Sequence, residues 1–146
     1  MDIEQLRLDL ENDESVVHEI YLDHLGFPSF GIGHLIRGSD PEHGLAVGTP
    51  VSEARVAQVF EDDIESVVGD CCILYSDFYE LPAEAQLVIG NMMFNLGRSR
   101  LSKFRGMKAG VDARDWQKAA DEMVDSRWYA QVPERAKRLV ERMRSI

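Results

Sequence analysis

The sequence predicts a mostly helical α+β protein in which a small antiparallel sheet near the N-terminus stands beside a helical body. Residues 17–22 include Val17, Ile20 and Tyr21, which favour strands. Glycine and proline recur between residues 26 and 33, which indicates tight turns and not a helix. Nearly every segment after residue 50 has apolar residues at helical spacing. A small sheet that carries acidic side chains beside a helical body predicts a cleft between two lobes.

Length and composition predict one domain. The chain has 146 residues, and its two Trp, four Tyr and six Phe supply a packed core that a disordered chain would lack. The two cysteines, Cys71 and Cys72, are adjacent, which disfavours a disulfide or a zinc site and indicates a reducing compartment. Residues 1–5 resemble no signal peptide, and no apolar run is long enough to span a membrane.

The formal net charge of −10 is unevenly distributed. Residues 1–30 carry −7, residues 31–96 carry −9 and residues 97–146 carry +6. A basic C-terminal third could bind an anionic polymer on one surface. The alternative, which charge alone favours, is that these side chains form the solvated faces of helices.

The first helix is predicted from Ile3, Leu6 and Leu10, which lie on one helical face, and should end near residues 11–13. Glu14 would then lie at or just after the helix C-terminus. There the helix dipole disfavours a carboxylate and would raise its pKa, which suits a proton donor. The alternative is an ordinary exposed Glu in an acidic segment. The sheet should follow over residues 17–37, with turns near 23–26 and a loop over 37–48.

The next two helices have clear start signals. Ser52 is a plausible N-cap of a long apolar-striped helix that should run to about Tyr75. After a break at residues 77–81, Pro82 suits the first turn of a new helix. Residues 83–96 are apolar nearly all round, which predicts a helix buried at the centre of a lobe, with Gly97 as its C-cap.

Shorter elements are predicted over the C-terminal third. Short helices should be broken near Gly106 and Gly110, and an amphipathic helix should cover residues 112–124. Residues 126–129 should form a compact turn, and Pro133 should start a last helix that ends near residue 144. We therefore expect a sheet lobe at about 14–51, a linking helix at about 52–75, and a helical lobe at about 76–146 to which the N-terminal helix adds.

Three sequence blocks occur in order within residues 6–142. In the first, Glu14 is followed after eight residues by Asp23, after five more by Ser29, and then by Gly-Ile-Gly-His at 31–34. The second is Asn-Met-Met-Phe-Asn-Leu-Gly at 91–97, and the third is Ser-Arg-Trp-Tyr at 126–129, followed by Pro133 and Arg-Ala-Lys-Arg at 135–138. Together they resemble the phage-type lysozymes, whose first block usually has Thr in place of Ser29. The resemblance implies a lysozyme-like fold with two lobes.

The resemblance implies a muramidase that hydrolyses the β-1,4 bond between N-acetylmuramic acid and N-acetylglucosamine in peptidoglycan. Glu14 matches the proton donor, Asp23 the second carboxylate, and Ser29 the hydroxyl that helps hold the attacking water. The family implies an inverting reaction in which Asp23 acts as a base through water. Inversion needs carboxyl groups about 6.5–9.5 Å apart, whereas retention needs about 5 Å.

Five further residues match supporting positions of the family. Leu35 and Phe94 match residues that contact the sugar chain, with core packing as the alternative for each. Arg135 matches a position that can pair with the catalytic Glu, with an exposed Arg of a basic helix as the alternative. His34 and Asp63 match a structural pair that joins sheet to helix. No metal or cofactor is implied, since acid–base hydrolysis needs none.

The chain also departs from the family pattern. Met107 and Glu122 stand at two positions that touch sugar in well-known members, so those contacts are not expected here. The overall acidity is atypical of the family, and we interpret the basic C-terminal third as the remainder of an adaptation to anionic walls. The chain is also shorter than well-known members in the sheet-lobe loop and at the C-terminus.

The resemblance implies peptidoglycan glycan strands as the partner, no nucleic acid, no stable membrane association, and a monomer. We expect an endolysin that stays in the host cytoplasm until a separate membrane-lesion protein lets it reach the periplasm and wall. Two alternatives are a virion-associated lysozyme that pierces the wall at infection and a peptidoglycan-binding protein that has lost activity. The presence of both carboxylates favours an enzyme, and the lack of a fused domain favours the lysis role.

Overall fold

The computed structural model describes residues 1–146 and confirms the mostly helical α+β class, with seven α-helices and one three-stranded antiparallel sheet. No helix combines the length and the apolar character that crossing a membrane requires. The elements in chain order are α1 (Ile3–Asp13), β1 (Val16–Leu22), β2 (Pro28–Ile32), β3 (His34–Leu35), α2 (Glu53–Leu74), α3 (Ala83–Leu101), α4 (Arg105–Asp112), α5 (Trp116–Val124), α6 (Arg127–Gln131) and α7 (Pro133–Arg144).

The chain forms two compact units. The sheet unit comprises Arg7–Ser66, and the helical unit comprises Met1–Leu6 together with Val67–Ile146. The lobe limits expected from the sequence, at about residues 14, 51 and 76, stay a prediction.

The sheet of the sheet unit is ordered β1-β2-β3, with antiparallel neighbours. Its register is irregular, because Val17 pairs with Gly31 whereas Tyr21 pairs with Ser29, which leaves extra residues on β1. These extra residues hydrogen-bond to the loop that precedes α2: the Ile20 N–H donates to the Thr49 carbonyl at 2.9 Å. The bulge thereby fixes which β1 residue stands opposite Ser29.

Helix α2 begins where the sequence predicts. The Ser52 hydroxyl accepts a hydrogen bond from the Arg55 N–H at 3.1 Å, which satisfies one of the free donors of the first turn. The buried apolar residues of the sheet unit come from α1, the strands, the loop before α2 and one face of α2, and they are Leu10, Ile20, Phe30, Ile32, Val51, Val56, Val59, Phe60 and Ile64.

Helix α3 is the buried centre of the helical unit, as its all-round apolar sequence predicts. Residues 85–93 are buried without interruption. Gly97 ends the regular part of this helix, because its φ of 78° lies in the left-handed region that glycine adopts without strain. The chain then resumes helical geometry to Leu101, so the predicted C-cap is a kink between two helical segments. Pro82 precedes α3 as its N-cap and does not enter the first turn.

The prediction of helix breaks at Gly106 and Gly110 was wrong, because both glycines lie inside α4. A Cβ atom at Gly110 would lie 2.6 Å from the backbone nitrogen of Ala119 on α5. At Gly106 it would lie 2.4 Å from the Glu122 carboxylate on the same helix. These glycines therefore allow close packing of two helices.

Two further boundaries differ from the prediction. Helix α5 starts at Trp116 and not at Asp112, because Asp115 caps it by accepting from the Lys118 N–H at 3.0 Å. The predicted turn at residues 126–129 is the start of the short helix α6, which Ser126 caps by accepting from the Tyr129 N–H. In both cases a short polar N-cap residue marks the true start.

Candidate active site

Glu14 lies directly after α1, in the two-residue link to β1. Its backbone N–H donates to the Leu10 carbonyl at 2.8 Å and so closes the last turn of the helix. The side chain is half-buried. The position at the helix C-terminus is the one that the sequence predicts.

Asp23 opens the turn between β1 and β2. Its Oδ1 atom accepts hydrogen bonds from the Leu25 N–H at 2.9 Å and the Phe27 N–H at 2.8 Å. Its own N–H donates to the Phe27 carbonyl at 2.9 Å. This Asx-type turn fixes the orientation of the carboxylate and leaves Oδ2 for other partners.

Ser29 lies on β2 and is only 4% exposed. Its hydroxyl donates to the Phe27 carbonyl at 3.3 Å, so Ser29 and Asp23 are both tied to the same turn residue. The turn therefore holds the second carboxylate and the hydroxyl of the first sequence block in one local structure.

Tyr21 is a polar residue of this region that sequence reasoning missed. It pairs with Ser29 on the neighbouring strand, and it precedes Asp23, the first residue after β1, by two positions. Burial raises the pKa of the Tyr21 phenol, and the negative charges of Glu14 and Asp23 raise it further. The period of two along β1 was the signal that could have identified it.

His34 is buried between two carboxylates. Its Nδ1 atom lies 2.7 Å from an Asp63 oxygen on α2, and its Nε2 atom lies 2.8 Å from an Asp40 oxygen in the following loop. Burial alone would lower the pKa of His34, but its hydrogen bonds to the Asp63 and Asp40 carboxylates, together with their negative charges, outweigh burial and raise it. The arrangement joins β3, the loop and α2.

The loop between β3 and α2 also forms a second ion-pair contact with α2, which the sequence did not indicate. Arg55 donates from Nε to a carboxylate oxygen of Glu42 at 2.8 Å, and its NH2 group lies 3.8 Å from Asp40. Glu42 is itself only 8% exposed. The chain after β3 is therefore held to α2 by ion pairs on buried or half-buried side chains.

Leu35 and Phe94 differ in exposure. Leu35, on β3, is 49% exposed, so the alternative of core packing does not hold for it. Phe94, on α3, is partly buried and packs against the core of the helical unit. Phe94 therefore packs against the core, as the alternative interpretation holds, and part of its side chain remains exposed.

Arg135 is buried at 7% exposure, so it is not the exposed helix cation of the alternative interpretation. Its Nε atom donates to the Asn91 side-chain oxygen at 2.8 Å. The Trp128 indole likewise donates to the Asn95 side-chain oxygen at 2.7 Å. Direct hydrogen bonds therefore join the second and third sequence blocks within the helical unit.

The two departures from the family pattern line the same cavity of about 170 Å³, whose lining includes Met107 and Glu122. Met107 is itself buried, at 0% exposure. A larger cavity of about 590 Å³ in the helical unit contains none of the predicted site residues, and its lining consists of Glu84, Arg138, Leu139, Glu141, Arg142, Ser145 and Ile146.

No group of three or more His, Cys, Asp or Glu side chains is arranged to hold a metal ion. The sheet unit has groups that can exchange protons or donate hydrogen bonds to a substrate or water. They are a half-buried carboxyl at Glu14, an oriented carboxylate at Asp23 and the hydroxyls of Ser29 and Tyr21. Carboxyl groups in different surroundings can serve as acid and base in one reaction.

Comparison with known proteins assigns the family. A family model described as phage lysozyme matches residues 11–145. A probable T4-type lysozyme 2 of Dictyostelium discoideum is 25% identical, over 90% of this chain and 88% of its own length. The pre-baseplate central spike protein Gp5 of Enterobacteria phage T4 is 28% identical over 89% of this chain, which spans only 26% of that protein. The peptidoglycan hydrolase gp36 of Pseudomonas phage phiKMV is 26% identical over 97% of this chain, which spans 15% of that protein. The family match covers all three sequence blocks and nearly the whole chain, which therefore belongs to the phage lysozyme family.

Proposed function

We propose that this chain hydrolyses peptidoglycan as a glycoside hydrolase that cuts the β-1,4 bond between N-acetylmuramic acid and N-acetylglucosamine. The observation that carries the proposal is the turn that orients Asp23 and holds Ser29, in the same unit as Glu14. The family match and the names of two relatives, a lysozyme and a peptidoglycan hydrolase, support the same substrate.

The roles follow from the surroundings of each group. Glu14, half-buried at a helix C-terminus, is the proton donor to the leaving oxygen. Asp23, which two backbone N–H groups orient, is the base that takes a proton from the attacking water. The Ser29 hydroxyl helps hold that water, and Leu35 contributes exposed apolar surface to the sugar chain.

The test is the variant Glu14→Gln. Glutamine keeps the shape of the side chain but has no acidic proton to give, so the rate of wall clearing should fall by about 10²–10⁴-fold. Glu11→Gln, at an exposed acid near the end of α1, is the matched control and should keep the wild-type rate. A Glu14→Gln protein that clears purified peptidoglycan at the wild-type rate would show that another group donates the proton.

The stereochemical course is proposed to be inverting, with water between Asp23 and the anomeric carbon. NMR of a freshly cleaved oligosaccharide reports the configuration of the new reducing end before it equilibrates. Inversion yields the opposite anomer to that of the substrate bond. Retention would instead assign Asp23 as a covalent nucleophile.

The biological role is proposed to be lysis of the host. The similarity to a pre-baseplate central spike protein favours a second candidate, a virion-associated lysozyme that opens the wall at infection. Immunoblots of purified virions and of infected-cell lysates separate the two. A signal confined to lysates supports the lysis role, and a signal in virions supports the second.

A further inference from the structure

The turn that orients Asp23 carries large apolar side chains that the fold leaves exposed. Leu22 precedes Asp23, Leu25 and Phe27 follow it, and each of these three side chains is exposed over more than half of its surface. Single exposed apolar residues are common on soluble proteins, but tight turns usually carry polar side chains. The grouping of three such side chains around a proposed catalytic group therefore indicates a surface that binds a ligand.

Hydrogen bonds make this turn a rigid support for the exposed side chains. The Asp23 N–H donates to the Phe27 carbonyl at 2.9 Å, and the Gly26 N–H donates to the Asp23 carbonyl at 2.9 Å. The Asp23 carboxylate adds the bonds that it accepts from the Leu25 and Phe27 N–H groups. Because the backbone is fixed in this way, little conformational entropy is lost when a ligand contacts the turn.

Phe27 is the residue that links the two proposed catalytic groups of the turn. Its N–H donates to Asp23 Oδ1 at 2.8 Å, and its carbonyl accepts from the Ser29 hydroxyl at 3.3 Å. Its side chain is 52% exposed. The ring is therefore accessible to a ligand, and it lies one side-chain length from the backbone atoms that bond Asp23 and Ser29.

A sugar ring has the chemistry that fits the exposed ring of Phe27. The C–H groups on one face of a pyranose form an apolar and slightly positive surface, which complements the negative face of an aromatic ring. The sheet unit carries a net charge of −10, which disfavours an anionic ligand at this turn and does not repel an uncharged sugar face. The glycan strand of the proposed substrate presents such faces along its length.

We propose that Phe27 binds the substrate by stacking its ring on a sugar of the glycan strand beside the bond that is cleaved. The contact is made equally before and during the reaction, so it contributes to affinity and not to the chemical step. The identity of the sugar polymer rests on the proposed function, whereas the contact between Phe27 and a sugar can be measured without hydrolysis.

The first measurement is NMR of the bound sugar. A soluble tetrasaccharide of alternating N-acetylglucosamine and N-acetylmuramic acid is added to Glu14→Gln protein, which should leave it uncleaved. Stacking should shift sugar C–H protons upfield. In the same background Phe27→Leu, which keeps apolar bulk, should remove this shift and weaken binding by about two- to tenfold. Tyr79→Leu, at an exposed aromatic residue of the helical unit, should keep both the shift and the affinity.

The second measurement separates binding by the ring from support of the turn. With soluble peptidoglycan, Phe27→Leu should raise KM by about two- to tenfold with kcat nearly unchanged. Phe27→Tyr restores an aromatic face and should return KM to the wild-type value. A fall in kcat at unchanged KM would mean that Phe27 only supports the turn, and it would overturn the proposal.

The remaining outcomes distinguish this proposal from the proposed function. Absent tetrasaccharide binding, binding without an upfield shift, or equal affinity in Phe27→Leu would overturn the role of Phe27, even if the wild type hydrolyses peptidoglycan. Wild-type binding to phosphatidylcholine vesicles that Phe27→Leu abolishes would assign the exposed side chains to a lipid surface instead. Conversely, a ring-dependent upfield shift in a protein whose wild type releases no reducing ends from peptidoglycan would refute the proposed function and leave the sugar contact of Phe27 established.

Discussion

The Ser29 hydroxyl lies in a nearly closed environment, where its side chain is 4% exposed and donates to the Phe27 carbonyl at 3.3 Å. Such a long hydrogen bond leaves the hydroxyl free to turn toward the water that Asp23 is proposed to activate. The proposed role needs only the hydroxyl, which explains why Ser can stand where the family usually has Thr.

We therefore expect Ser29→Ala to lose more activity than Ser29→Thr. Alanine removes the hydroxyl, whereas threonine keeps it and adds a methyl group at a buried site, which costs about 1–3 kcal/mol of stability. Initial clearing rates, normalised to the folded fraction from circular dichroism, make the comparison. Equal normalised rates for the two variants would mean that the hydroxyl takes no part.

The buried cluster of His34, Asp40 and Asp63 should make stability depend on pH. The pKa of His34 is raised in the folded state, so its contribution is present below its ordinary pKa of about 6.5 and is lost as pH rises through the raised value. The pKa of Asp40 is lowered: burial opposes this shift, but hydrogen bonds from the Arg37 N–H and from His34 prevail. Its contribution is present above about pH 4 and is lost as pH falls. The interaction of His34 with Asp40 therefore stabilises the fold most between about pH 4 and 6.5.

The free energy of unfolding should accordingly fall by roughly 1–2 kcal/mol from pH 6 to above the raised pKa of His34. Asp40→Asn removes one of the two carboxylates that raise this pKa, so the fall should be smaller and begin at lower pH. Asp62→Asn, an exposed acid on α2, serves as the control. Urea titrations at several pH values measure the effect. The same fall in Asp40→Asn as in the wild type would exclude a contribution from this pair.

The backbone positions of Glu14, after a helix, and of Asp23, in a tight turn, could be predicted because both kinds of boundary are readable in sequence. The catalytic roles of Glu14, Asp23 and Ser29 stay predictions. Asp40 was not predictable as a partner of His34, because its position depends on the fold of a loop with no regular structure. Tyr21 was missed because strand periodicity was used to find the sheet and not to sort its two faces.

At the scale of elements, the pair α4–α5 shows why glycine was misread. Glycine is a frequent helix breaker in sequence, and at Gly97 that interpretation agrees with a positive φ. At Gly110 the chain is helical, and the missing side chain instead makes room for the Ala119 backbone. Sequence alone does not separate these uses, because the second depends on a helix that packs from elsewhere in the chain.

Gly110→Ala should therefore lower the free energy of unfolding, by about 1–3 kcal/mol, because its Cβ would lie 2.6 Å from the Ala119 nitrogen. Gly69→Ala is the matched control, since Gly69 lies within α2 and its added Cβ would meet nothing within 4 Å. That change should stabilise the protein by about 0.5–1 kcal/mol. Urea denaturation of both variants gives the comparison. Two variants of equal stability would contradict the close approach of α4 and α5.

At the scale of the whole molecule, the net charges of the two compact units differ from those of the sequence segments. The sheet unit has thirteen acidic and three basic residues and so carries the whole net charge of −10, whereas the helical unit has thirteen of each. The +6 of residues 97–146 is thus offset by acids from other parts of the helical unit. Some of these acids form direct ion pairs, namely Asp70 with Arg98, Asp77 with Arg114 and Glu84 with Arg142.

The exposed cations of residues 98–105 therefore differ in their freedom to attract an anionic wall. Arg98 is paired with Asp70, and the nearby Lys108 is paired with Asp112. Arg100, Lys103 and Arg105 are exposed and have no ion-pair partner within the protein. A cluster of this kind acts locally, since exposed charges are screened over about 8–10 Å at physiological salt. It can thus attract a polyanion even though the molecule as a whole is negative.

We expect wall clearing to slow as salt rises from low to physiological concentration, because screening weakens this local attraction. The double variant Arg100→Glu with Lys103→Glu should clear walls more slowly at low salt and lose most of the salt dependence. Lys118→Glu with Lys137→Glu changes the net charge equally at exposed sites outside the cluster, and it should behave like the wild type. Whether the clearing rate falls or rises with salt decides between local attraction by the cluster and repulsion by the net negative charge. If the net charge of −10 dominates, salt relieves repulsion, and the initial clearing rate of the wild type rises with salt and contradicts the cluster's role.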